Sequence, residues 1–148
     1  MPPLFWDGVA FALRWTLAVA HLVFVACVFP RPDLPELLPI TFRPFAEVMD
    51  WYLWGTWNLV AALLLIFVPT RVPLGLISTA FSAYCSFVVA AVYASGAGLV
   101  PSTLFYFSLG SVGVMLFGRS LWAYMTQVRW FRRRVMSRGR SGHGSARQ

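Results

Sequence analysis

His21 and Asn58 are the residues of this 148-residue chain that could do chemistry in unusual surroundings, because each stands inside an apolar run. An imidazole can donate, accept or carry a proton, and a carboxamide donates and accepts at once. In hydrocarbon both cost free energy unless they find partners, so they pair across helices or mark a wet path or pocket. His21 lies eight residues before the end of its run and Asn58 about seven after the start of the next. At about 1.5 Å per residue, that sets both roughly 10–12 Å below the same surface. Ser86 and Ser111, in two later runs, fall at about that depth. The spacing predicts a polar layer of His21, Asn58, Ser86 and Ser111.

Two further patterns carry possible roles. Ser78, Ser82, Ser86 and Ala90 recur every fourth residue, and Gly110 and Gly113 give the next run a thin side. Small residues at this spacing let helix backbones approach closely. They predict packing within the bundle, with self-association into homo-oligomers whose serines line a hydrated path as the sharper alternative. In the tail, Arg129, Arg132, Arg133 and Arg134 flank Trp130 and Phe131. Basic residues next to a span are attracted to anionic lipid headgroups, each by about 1 kcal/mol. Nucleic acid is not expected as a partner, since the same residues serve as a topology signal.

The elements that must position these residues are set by composition. The apolar set AVILMFWYC makes up 59% of the chain and charged residues 11%, against about 25% charge in a soluble domain. Four apolar runs, about 9–29, 51–68, 74–94 and 102–124, each approach the ~20 residues needed to cross a bilayer. Backbone groups have no partner in lipid, and nothing alternates as barrel strands do, so the spans are helices. The sequence predicts an all-α, integral membrane four-helix bundle over residues 1–125, followed by a basic, largely disordered tail over 126–148. Arg14, near the start of the first run, is expected to snorkel to the headgroups.

All twelve basic residues are arginine and the formal charge is +7. Arg14, Arg71, Arg119 and the tail share one side of a four-span chain. Arg31 and Arg43 lie on the other, with four of the five acids. The positive-inside rule then puts both termini in the cytoplasm and the chain in the inner membrane. Phe24-Val25-Ala26-Cys27 has a loose likeness to a lipoprotein cleavage box, but the start lacks a positive cluster, so the first run is read as a retained span. In the external loop a short interfacial helix is expected after Pro44, with a short hinge carrying aromatic anchors as the plainer alternative. Phe45, Val48, Met49 and Tyr52 would share its apolar face, with Arg43, Glu47 and Asp50 in water.

The chain carries no phosphate-binding glycine loop, no H-E-x-x-H and no G-x-S-x-G. Cys27 and Cys85 lack metal or redox spacing. No catalytic residue, metal or cofactor is expected. Haem would find one axial histidine in the bundle, and bis-histidine ligation would need a second subunit.

The Pro-rich loop followed by Trp54-Gly55-Thr56-Trp57-Asn58-Leu59-Val60-Ala61-Ala62 resembles small four-span membrane proteins of actinobacterial phages. In those, a Trp-Gly-x-x-Trp-Leu-Val-Ala-Gly-like segment follows such a loop. Here Asn58 precedes Leu59, and Ala62 stands where glycine is more usual. The resemblance implies a non-enzymatic, holin-like protein that permeabilises the membrane. Span order and the short Pro69–Pro73 turn are also similar to DoxX-type four-helix membrane proteins. That likeness implies an accessory or redox-associated subunit whose His21/Asn58 layer binds a lipid, a quinone or a partner helix.

Overall fold

The computed structural model describes residues 3–70 and 72–141, the side chains of 3–6, 127 and 129–141 excepted. Every element among them is a helix: α1 (Pro3–Val28), α2 (Leu34–Leu37), α3 (Pro39–Val48), α4 (Trp51–Phe67), α5 (Pro73–Ala97) and α6 (Pro101–Ser141). Punctuation in the sequence sets these bounds. Pro39, Pro73 and Pro101 open helices, where a missing N–H costs nothing. Asp50 caps α4 by accepting a hydrogen bond from the Tyr52 backbone N–H at 2.9 Å, one of the donors a helix start leaves bare. Gly98, with φ of 75°, closes α5 in a conformation that favours glycine.

Three stretches are long and apolar enough to cross a membrane: Asp7–Val28, Pro73–Ala97 and Pro101–Thr126. At 17 residues α4 is shorter, about 25 Å at 1.5 Å per residue. With α3, which meets it at 82°, it makes a bent fourth candidate. The chain thus has three candidate spans, or four if the bent pair is counted as one.

Large apolar side chains lie both inside the bundle and on its outer face. On α1, Arg14, Leu17, Ala18, His21, Phe24 and Val28 form the inner stripe at helical spacing, while Phe11, Trp15, Val19 and Val23 face outward. Inside lie Asn58, Ser78, Thr79, Ser82 and Ser86. Outside, Leu63, Ile77, Tyr84, Phe105, Phe107 and Met115 are each at least 40% exposed. Contiguous apolar surface on this scale marks contact with a membrane or a partner.

Two sequence expectations need revision. The helix in the loop between the first two apolar runs begins at Pro39, not after Pro44, and Pro44 lies inside it. It is docked on the bundle: Phe45 is fully buried and Phe42 and Met49 half-buried, whereas Val48 and Tyr52 are exposed. Gly96 of α5 admits it, since a Cβ there would come within 2.5 Å of Pro44 Cγ and 2.7 Å of Ile40 O. That carbonyl is the one Pro44, lacking an N–H, leaves without its helical donor. The tail also differs, because α6 continues past Tyr124 to Ser141 where disorder is expected from 126 onward. Between Gly118 and Gly139 no glycine or proline interrupts residues of good helix propensity.

Candidate functional site

The inner faces of α1, α4 and α5 bring three polar side chains together. His21 Nδ1 lies 2.7 Å from Asn58 Oδ1, and His21 Nε2 lies 2.8 Å from Ser82 Oγ. Asn58 Nδ2 donates to Trp54 O at 2.8 Å, which fixes the carboxamide so that Oδ1 faces the imidazole. An amide oxygen only accepts, so Nδ1 carries the proton and Nε2 accepts from the Ser82 hydroxyl. In this tautomer every polar atom of the trio is paired. Their residues are 2% or less exposed, and no buried side-chain nitrogen or oxygen among the described residues lacks a partner.

The expected layer is therefore half right. His21 and Asn58 do meet. Ser86 is buried nearby but bonds the Ser82 carbonyl of its own helix at 3.0 Å. Ser111 is directed away and bonds Phe107 O at 3.0 Å. Ser82, one turn from Ser86, takes the partner's place. Depth alone locates a residue along the membrane normal, and a one-turn difference together with the rotation of each helix decides which serine arrives.

The connectivity Ser82–His21–Asn58 matches a nucleophile, base and orienting group, but the surroundings do not support acyl transfer. Ser82 sits in the middle of α5 with no exposed surface. The backbone N–H groups around it are spent on the helix, so no oxyanion hole is at hand. Both imidazole nitrogens are engaged, which also leaves none for a haem iron. The trio links α1, α4 and α5 by hydrogen bonds.

The bonding continues outward from Asn58. Trp54 Nε1 donates to Phe45 O at 2.9 Å, and Trp51 Nε1 is shared between Val28 O and Arg31 O, both at 3.2 Å. Phe45 packs edge-on to Trp54 and Tyr93, with ring centroids 5.2 and 4.8 Å apart. This gives the Trp54–Ala62 segment a physical meaning. Trp54 anchors α3, Gly55 lets Val28 and Phe29 come close, Asn58 meets His21, and Ala61 and Ala62 are fully buried.

Ser78, Ser82, Ser86 and Ala90 are all buried within the single chain, so their stripe is used for packing inside it. Gly110 and Gly113 face α5: a Cβ on them would lie 2.8 Å from the Phe87 ring and from Ala83 Cβ. The lipid contacts expected of Arg129, Arg132, Arg133 and Arg134 fall outside the described side chains. Cys27 and Cys85 are free thiols.

Arg14 departs from the expected snorkelling. It is turned inward, 9% exposed, and donates to the last carbonyls of α4: Nε to Leu65 O, Nη2 to Leu64 O at 3.2 Å and to Val68 O. A helix C-terminus leaves carbonyls unpaired and carries partial negative charge, so a cation there is stabilised twice over. The signal was present in Pro69, which stops α4 and bars any further backbone donor. Arg14 also lines a cavity of about 630 Å³ between α1, the end of α4, α5 and α6. Asp7 and Arg119, paired at 2.6 Å, stand at its edge and tie α1 to α6.

No protein family, curated protein or solved structure matches the chain.

Proposed function

We propose that this is a non-enzymatic, multi-pass protein of the inner membrane, with both termini in the cytoplasm, acting as an accessory subunit through its lipid-facing and loop surfaces. The bent α3–α4 pair counts as the fourth span. The observation that carries this reading is the broad apolar outer face of the long helices, set around a core in which His21, Asn58, Ser78, Ser82 and Ser86 are buried and hydrogen-bonded. In lipid that arrangement stabilises a closed bundle, since an unpaired polar group there costs several kcal/mol while an apolar surface costs little.

The holin-like alternative requires polar faces that copies of the chain could turn toward a shared lumen. The burial of Ser78, Ser82 and Ser86 inside one protomer favours the closed bundle over that alternative. Inducing the gene while following turbidity and membrane potential tests the choice. Intact potential at high expression is expected; rapid depolarisation would overturn the accessory reading in favour of a permeabilising one.

A further inference from the structure

The cavity beside Arg14 is not part of the His21 trio and needs its own account. Among the described residues, two arginines, Arg14 and Arg119, and one aspartate line it. Asp7 pairs with Arg119, so Arg14 has no carboxylate partner among the described residues. The α4 terminus offsets only about half a unit charge. Arg14 spends Nε and Nη2 on carbonyls. Nη1 makes no hydrogen bond among the described residues, and Arg14 is one of the residues that line the cavity. Arg14, a residue only 9% exposed, thus brings N–H donors and a net positive charge to a space with both polar and apolar walls. Ser120 adds a hydroxyl from α6. Phe11, Trp15 and Phe67 line the same cavity and are 64%, 44% and 75% exposed on the outside of the bundle.

We propose that this cavity binds the phosphate of an anionic phospholipid of the cytoplasmic leaflet, the headgroup on Arg14 and an acyl chain leaving past Phe11, Trp15 and Phe67. Arginine suits a phosphate because its planar fork presents paired donors. The volume lies within the ordinary range for ligand pockets, about 300–1,000 Å³. A free phosphate shares the headgroup chemistry but leaves the aromatic wall unused. The leaflet rests on the topology proposed above; the site itself rests on the cavity.

The full-length protein in detergent, titrated with phosphatidylglycerol, phosphatidylcholine or inorganic phosphate and examined by native mass spectrometry, tests this. One tightly held phosphatidylglycerol is expected, with about tenfold preference over phosphatidylcholine, whose phosphate can accept the same hydrogen bonds but whose choline cation cancels the net charge and is repelled by Arg14. Arg14→Gln removes the preference. Because that variant also uncaps α4, Ala123→Trp provides an independent block, filling the cavity from α6 with every Arg14 bond intact and the tail arginines still present. Equal retention of the two lipids, or phosphatidylglycerol held as tightly by a monodisperse Ala123→Trp protein as by wild type, overturns the lipid site. Displacement of the lipid by inorganic phosphate at equal concentration overturns the lipid as occupant in favour of a free oxyanion. A chain that stays in solution without detergent would instead refute the membrane reading.

Discussion

At the scale of single residues, the stability of the core turns on complete pairing. Asn58→Leu strands the His21 Nδ1–H, and a buried donor without a partner costs about 1–3 kcal/mol. Thermal unfolding in detergent is expected to register a loss of that size. The double variant His21→Leu with Asn58→Leu should lose less than the two single losses together, because both ends of the bond are then apolar. Ser82→Ala removes one interhelical bond of about 0.6 kcal/mol on average. Ser111→Ala, which only releases a bond within α6, should stay within about 0.5 kcal/mol of wild type. The meeting of His21 and Asn58 was legible in the sequence because rare polar residues in apolar runs must find each other. The identity of the third partner was not, since it depends on the rotation of α5. Arg14 was misread because the snorkelling rule considers headgroups and overlooks the bare carbonyls of a neighbouring helix.

At the scale of elements, helix ends and close approaches decide the packing. Gly113 faces Ala83 with no room for a side chain, so Gly113→Val should destabilise by about 1–3 kcal/mol through overpacking. Gly118 has open space around it; Gly118→Ala should be neutral or gain up to about 1 kcal/mol from helix propensity. The two variants, compared by thermal unfolding, separate a packing glycine from an incidental one in the same helix. Arg14→Gln should fray the last turn of α4, raising hydrogen–deuterium exchange at the Val68 amide, which bonds Leu64 O, by about fivefold or more for a terminal interaction of about 1 kcal/mol. The apolar runs located the long helices to within a few residues at most ends, because proline and glycine mark those ends. The exceptions are the start of α1, at Pro3 where about residue 9 is expected, and the far end of α6. The docking of α3 was less visible: its amphipathic spacing predicts a helix but not whether the apolar face meets lipid or bundle. Aromatic rings at Trp51, Trp54 and Tyr93 draw Phe45 inward.

For the whole molecule, the proposed orientation rests on charge asymmetry. Seven of the twelve arginines follow Gln127. A chain truncated after Val128 retains Arg14, Arg71 and Arg119 against Arg31 and Arg43, a weak bias. Paired reporters on its end should find it in both orientations, whereas the full chain with a reporter after Gln148 should give a cytoplasmic signal alone. The all-helical class and the presence of several candidate spans could be read from composition, because long apolar runs have few alternatives in lipid. How many of them cross could not be read so simply, since α4 is short and counts only with its bent neighbour.

The bond from Arg14 to α4 joins residues 51 positions apart. During synthesis α1 therefore leaves the ribosome well before the carbonyls that will receive its guanidinium exist. Until then a charged helix waits beside the insertion machinery with its obligation unmet, and final release into the bilayer becomes a joint event of the first and fourth helices. Nascent chains halted before Leu64 emerges should stay crosslinked to the translocon through α1, and chains halted after Val68 has cleared it should not.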